Sequence, residues 1–275
     1  MADPISKAIL VSGGFDDLRS KEIRFLEEAS RLGELSVVLW SDATLRRQTG
    51  KDPKFREAER QYLLQSIRYV GQVKTADVAD PNSLPLLGEK QPDVWVVHAG
   101  EDNPERKRFC ETRGIALRAL GQEHLGGFPE LPATPSPAGR KKVVVTGCYD
   151  WFHSGHVRFF EEVSAYGDLY VVVGHDANVK LLKGPHHPMH HQEERRYLVG
   201  AVRFVKQALV STGSGWLDAE PEIEQIQPDI YAVNEDGDKG GKREFCEKHD
   251  IEYLVLKRTP APGLPQRSST DLRGF

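Results

Sequence analysis

The chain has 275 residues, 39% hydrophobic and 28% charged, with a formal net charge of −4; it is long enough for two compact domains, and its charge gives no electrostatic case for nucleic acid as a partner. Three cysteines, Cys110, Cys148 and Cys246, show no CxxC spacing and cannot all pair, which suits a reducing compartment. No apolar run reaches bilayer-spanning length and the residues after Met1 lack a signal peptide's charged and hydrophobic regions, so a cytoplasmic protein without a membrane partner is expected.

Short apolar runs alternate with amphipathic segments. Strands are expected at Ala8 to Val11, Leu35 to Trp40, Val94 to Val97 and Ile115 to Leu120, with helical patterns at Lys21 to Leu32, Phe55 to Tyr69 and Pro104 to Thr112. A proline- and glycine-rich stretch, 125–139, reads as an extended linker. Beyond it, strands are expected at Val143 to Val145, Leu169 to Val173, Ala208 to Val210, Ile230 to Val233 and Tyr253 to Leu256. Strand and helix in alternation mean βαβ units and a parallel sheet.

The two halves repeat one another. The stretch from Val11 to Glu28 lies without a gap against Val145 to Glu162, at a shift of 134 that sets His153 over Arg19. Arg60-Gln61-Tyr62-Leu63 matches Arg195-Arg196-Tyr197-Leu198, and Phe109-Cys110-Glu111 matches Phe245-Cys246-Glu247. One fold built twice is expected: an α/β protein of two tandem doubly wound parallel-sheet domains, 1–124 and 140–275.

The second half carries the chemistry. After the β-branched run Val143 to Val145 comes Gly147-Cys148-Tyr149-Asp150-Trp151-Phe152-His153-Ser154-Gly155-His156, a strand, a loop and a helix start. Unpaired N–H groups and the helix dipole attract anions at such a turn, two imidazoles add donors, and Gly155 lets a ligand approach the backbone. This segment resembles the HxGH signature of the nucleotidylyltransferase superfamily. Two further stretches are similar to segments of that family. Val171 to Pro185 resembles its strand-Asp-x6-Lys-Gly segment, making Lys183 the lysine that would reach the α-phosphate and the acceptor's phosphate, with Asp176 and Lys180 nearby. Leu264 to Phe275 resembles its Arg-x4-Ser-Thr-Ser segment, in which Arg267, Ser268, Ser269 and Thr270 would hold the β- and γ-phosphates.

The resemblance implies a Rossmann-like fold and transfer of a nucleoside monophosphate, CMP favoured, to a phosphorylated small alcohol or sugar, the alternative being adenylyl transfer to a sugar or pantetheine-like phosphate. His153 and His156 would neutralise the leaving pyrophosphate. Gly147, Tyr149, Asp150, Gly155 and Arg195 would face the nucleotide, although Arg60 at the equivalent place in the first half leaves a structural role open for Arg195. Trp151 is expected at the acceptor, with Tyr149 and Trp216 as further aromatic walls. Asn234, Glu235 and Asp236 follow a strand and would contact nucleotide or acceptor, or serve as turn residues. Arg203-Phe204-Val205-Lys206 resembles the Arg-Tyr-Val-Asp of cytidylyltransferases, with Lys206 in place of the acid. Magnesium would arrive with the triphosphate, and no protein metal site is expected. The loop His186-His187-Pro188-Met189-His190-His191 reads as a lid over the phosphates in preference to a metal site.

In the first half Arg19-Ser20-Lys21-Glu22 replaces the histidine motif and Thr49 replaces Lys183, so that half is expected to be catalytically silent. Tandem ethanolamine phosphate cytidylyltransferases resemble this arrangement, which implies an intramolecular pseudo-dimer or a homodimer. A bifunctional enzyme or one with a regulatory first domain, and a nucleotide sensor without turnover, remain the competing readings.

Overall fold

The computed structural model describes residues 6–85, 91–131, 136–269 and 272. Contacts divide the chain into two compact units, Met1–Gly127 and Phe128–Phe275.

The first unit runs β1 (Ala8–Gly13), α1 (Ser20–Ser30), β2 (Glu34–Trp40), α2 (Asp42–Thr49), α3 (Glu57–Ser66), β3 (Gln72–Ala76), β4 (Val94–His98), α4 (Pro104–Arg113), β5 (Ala116–Leu120) and α5 (Gln122–Leu125). The second runs β6 (Lys142–Gly147), α6 (Ser154–Ser164), β7 (Asp168–Val173), α7 (Asp176–Lys183), α8 (Gln192–Gly200), β8 (Val205–Val210), α9 (Glu220–Ile226), β9 (Ile230–Asn234), α10 (Lys242–Lys248) and β10 (Glu252–Leu256). Each holds a five-stranded parallel sheet, ordered β3-β2-β1-β4-β5 and β10-β9-β6-β7-β8. Both are doubly wound α/β folds, as the alternating pattern requires.

Period-two alternation explains why the β6 run is apolar throughout. Val143 and Val145 join a core with Phe160 and Val199, while Val144 joins the opposite core with Ile223 and Phe245. A strand covered by helices on both faces has no polar side. The chain leaves β6 for β7 and β8 on one side, then crosses to β9 and β10 on the other. The strand order therefore reverses between β6 and β9, and the carboxyl ends of those two strands open a crevice.

Strand β3 and helix α2 lie outside the sequence expectation. Gln72-Val73-Lys74-Thr75-Ala76 reads as polar because β3 is an edge strand with mainly Val73 buried. Helix α2 is short and mostly polar, and it is fixed by local capping: Ser41 Oγ accepts from the Thr44 N–H and Gly50 closes it in the left-handed region at φ 71°. The stretch 125–139 is not a free linker over its described length. Leu125 is buried in α5, the Phe128 ring lies 5.9 Å from Tyr197, and Lys206 Nζ donates to Ser136 Oγ at 2.6 Å. Phe128 packs on α8 because an aromatic ring gains free energy by leaving water for the Tyr197 ring.

Candidate active site

The site begins where β6 ends. A hydrogen bond of 2.8 Å between the Thr146 and Tyr231 hydroxyls ties β6 to β9 just below the crevice. Tyr149 turns the chain at φ 56°, and its buried ring folds back so closely that a Cβ on Gly147 would lie 2.7 Å from it. Burial also pushes the Tyr149 phenol pKa up, so the hydroxyl stays protonated.

The two histidines of the motif have different positions. His153 is fully buried, and its Nδ1 accepts the Gly155 N–H at 3.1 Å as the N-cap of α6. Accepting at Nδ1 leaves Nε2 as the N–H of the His153 ring, which stacks on the His156 ring at 4.0 Å. The His156 ring is flanked by Phe152 and by the edge of Tyr149, and it lines a cavity of about 180 Å³. Its Nδ1 is buried without a hydrogen-bond partner among the described residues. Burial holds the His156 pKa well below the usual histidine range, and His153, Arg258 and Lys183 push the same way. The imidazole is neutral at pH 7 and faces a cavity whose other ionic groups are mainly cationic.

Gly155 is needed on steric grounds. A Cβ there would lie 2.9 Å from the His153 ring, closer than the ring could accept without shifting, while the Arg267 carbonyl at 3.4 Å would be in ordinary contact. Ser269 lines the cavity with His156, and Arg267 lines a side pocket with Gly155 and Asn234. Ser268 lies between them in sequence and lines neither pocket, and Thr270 lies outside the described residues. Lys183 is the last residue of α7, not a loop residue, and faces the same cavity. Gly147, Tyr149, Asp150, Trp151, Asn234 and Asp236 complete the set that the structure brings together.

Several expected contacts are placed elsewhere. Arg195 is 1% exposed and its guanidinium is consumed inside the protein. It donates to the carbonyls of His190, Cys148 and Gly174 and to the Asp176 carboxylate, at 2.7 to 2.8 Å. Arg60 makes the same four-point contact in the first unit, to the carbonyls of Phe55, Gly14 and Trp40 and to Asp42. A clamp retained where the histidines are lost belongs to the fold, so Arg195 and Asp176 are positioning residues. Lys180 is exposed and lines neither this cavity nor the neighbouring one. Lys206 sits on β8, bonded to Ser136, and lines no part of the cavity.

The histidine-rich loop is fastened down. Asp150 accepts the N–H groups of Met189 and His190 at 2.9 Å, as Asp16 accepts those of Lys54 and Phe55 in the first unit. The imidazoles diverge: His187 faces Asp150, His190 faces Glu194 and His191 faces Asp176. Only His187 lines the cavity.

Two cations were missed in the sequence. Arg258 donates to Asp236 at 2.6 Å and to the Arg267 carbonyl at 2.7 Å, joining the turn after β9 to the terminal segment. Lys242, on α10, lines both this cavity and a second one of about 360 Å³. Their signal was position: both follow the carboxyl end of a parallel strand, where such sheets bind ligands. The cavity carboxylates accept hydrogen bonds, Asp236 from Arg258 and Asp150 from the loop.

In the first unit Glu22 takes the place of His156. Its carboxylate accepts the Arg19 N–H at 3.2 Å and so caps α1. Burial raises its pKa.

A strand-loop-helix turn with an imidazole, a lysine and a hydroxyl converging at the switch point defines an anion-handling α/β site. Residues 144–274 match the family described as cytidylyltransferase-like. A FAD synthase of Ferroglobus placidus is 38% identical over 120 residues, covering 42% of this chain and 75% of that protein. A FAD synthase of Thermococcus kodakarensis is 36% identical over 123 residues, covering 43% of this chain and 80% of that one. The bifunctional protein HldE of Campylobacter concisus is 36% identical over 133 residues, 46% of this chain and 28% of its own length. The chain belongs to the cytidylyltransferase-like family of nucleotidylyltransferases. Among the described residues no helix is long and apolar enough to cross a membrane.

Proposed function

We propose that the second unit transfers a nucleoside monophosphate from a triphosphate to a phosphorylated small molecule, releasing pyrophosphate, and that the nucleotide is ATP. The observation that carries this reading is the convergence of His156, Lys183, Arg258 and Ser269 on one cavity at the ends of β6 and β9. The preference for adenylyl over cytidylyl transfer draws on the relatives named FAD synthase, whose named product contains adenylate.

The acceptor's phosphate oxygen attacks the α-phosphorus in line, the bond to the β-phosphate oxygen breaks, and pyrophosphate leaves with the electron pair. No protein nucleophile is involved, so catalysis is positioning and charge neutralisation. A neutral His156 donates one hydrogen bond to an oxygen on which charge develops. Lys183 draws the two anionic reactants together, and Ser269 and Arg258 border the polyphosphate. Magnesium would arrive with the triphosphate substrate, where it would neutralise part of the polyphosphate charge. The first unit is read as non-catalytic because a capping carboxylate stands at the phosphate position.

Pyrophosphate release from ATP and from CTP, with a panel of phosphate monoesters, tests the reading. Release with ATP alone is expected. Release with CTP alone would overturn the choice of nucleotide, and triphosphate binding without release in any combination would favour a sensor.

A further inference from the structure

Helix α7 is anchored at its first turn and open at its last. Its buried residues are Asn178 and Val179, whereas Leu181, Leu182 and Lys183 are exposed, Leu181 by 67%. Two other parts of the unit hold the first turn. On one side α8 supplies Arg195, which donates to the Asp176 carboxylate, and Gln192, whose side-chain carbonyl accepts the Asp176 N–H at 2.9 Å. The other side meets the loop 211–218 and is held by His175 and Asn178. Lys183 lies about 12 Å along the helix from His175, so a tilt of about 5° at the cap moves it by about 1 Å. A misplacement of about that size costs on the order of a hundredfold in rate.

His175 uses both ring nitrogens in this anchorage. Nδ1 accepts the Asn178 N–H at 3.2 Å and so caps α7, which leaves the N–H on Nε2, where it donates to the Gly213 carbonyl at 2.8 Å. The His175 backbone N–H donates to the Ser211 hydroxyl at 3.0 Å. Asn178, 3% exposed, donates to the Gly215 carbonyl and accepts the Gly215 N–H, at 3.0 and 2.7 Å. The loop that receives these bonds is itself fixed. The Ser211 N–H donates to the Val173 carbonyl, the Gly213 N–H to the Asp218 carbonyl, and the Thr212 hydroxyl to the buried Glu222 carboxylate on α9. Gly213 is required in that turn, since a Cβ on it would lie 2.6 Å from the Asp218 carbonyl oxygen. The loop is therefore a post, and His175 joins α7 to it.

The first unit builds a joint at the same two positions from smaller groups. Ser41 caps α2 and donates to Asp77, and Thr44, at the place of Asn178, accepts the Val78 N–H on its hydroxyl at 3.0 Å. Those hydroxyls reach the residues that directly follow β3, whereas the imidazole and the amide reach Gly213 and Gly215, further from the end of β8. A joint present in both units belongs to the fold. Its longer reach accompanies a lysine at the far end of the helix, where α2 ends in Thr49. We infer that His175 is a positioning residue that aims Lys183 into the cavity by locking α7 to the loop 211–218. The inference rests on reading Lys183 as a cation that meets the phosphates of the nucleotide.

A double-mutant cycle on the full-length protein, with ATP as the probe in calorimetry, tests it. Lys183→Gln should weaken ATP by about tenfold, the loss of one charge-assisted contact. His175→Ser, which leaves α7 the hydroxyl cap that α2 already uses, should weaken ATP by about fivefold. The double variant should bind within about twofold of Lys183→Gln alone, because a residue that acts through the lysine has nothing left to aim. Hydrogen exchange should be about tenfold faster over 177–183 and 211–218 in His175→Ser and unchanged in the first unit. His175→Asn also keeps an acceptor for the cap and repeats the cycle if the serine variant does not fold. Additive losses, ATP affinity unchanged by His175→Ser, or unchanged exchange would each overturn the inference while leaving the nucleotide reading in place. Wild-type protein that fails to bind ATP, or Lys183→Gln that binds it normally, would remove the premise and the inference together.

Discussion

Replacing Arg195 by glutamine tests whether the buried guanidinium serves the fold or the nucleotide. The side chain is 1% exposed and holds three loop carbonyls and Asp176, so the shorter neutral residue strands acceptors it cannot reach. Breaking a buried ion pair costs about 3 to 5 kcal/mol. Asp176 is 34% exposed and can recover some hydration, which places the expected loss near the bottom of that range, about 3 kcal/mol. For a unit of this size that lowers the melting temperature by roughly 6 to 12 °C. Thermal unfolding followed by circular dichroism reads the loss, and ATP titration well below the transition reads affinity. The clamp reading expects a large shift in melting with ATP affinity within a few-fold of wild type. Arg60→Gln should produce a comparable destabilisation of the first unit, since its four partners are equivalent. An Arg195→Gln protein of unchanged stability and sharply reduced ATP affinity would refute the reasoning.

His156→Ala should lower turnover by about a hundredfold or more, the loss expected for one donor to developing charge, measured as pyrophosphate release; wild-type turnover would remove it from the mechanism. Gly155→Ala should impair the α6 start, because the clash with the His153 ring outweighs the roughly 1 kcal/mol that alanine gains over glycine in a helix; about tenfold lower turnover is expected, and an unchanged rate would show that the contact yields freely. The depressed pKa of His156 sets a pH dependence with a definite sign. Below about pH 6.5 the unfolded chain takes up a proton at this residue that the folded chain refuses, so stability present at pH 7.5 is lost as the pH falls; urea midpoints for wild type and His156→Asn should therefore converge on acidification, and parallel slopes would contradict it. Glu22→Ala should leave turnover close to wild type while costing the first unit a helix cap, about 1 kcal/mol by urea unfolding; loss of turnover in a folded protein would mean that the first unit takes part.

Much of the site was legible because its signals are local. The run Val143 to Val145, the helix start at Ser154 and the repeat of the two halves are readable from short-range periodicity and self-similarity, and they suffice for two parallel sheets. What failed was any assignment that depended on where a long side chain ends. Arg195 and Lys183 carry the same charge and lie twelve positions apart in sequence, yet one terminates among backbone carbonyls and the other at a cavity wall. Arg258 and Lys242 lie outside every motif, and only the sheet order brings them beside His156. The edge strand β3 went unread because strands with one partner and one solvated face need little apolar sequence, although the register of the repeat points to it.

The sequence by itself determined the architecture, the duplicate halves and which half retains two imidazoles, since those depend on spacing along the chain. Only the tertiary structure decided that the two imidazoles stack, that a shared arginine clamps loops in both units, and that Lys183 ends at the cavity wall. Those outcomes depend on desolvation and on the meeting of groups far apart in sequence, and neither is set until the strands are in order.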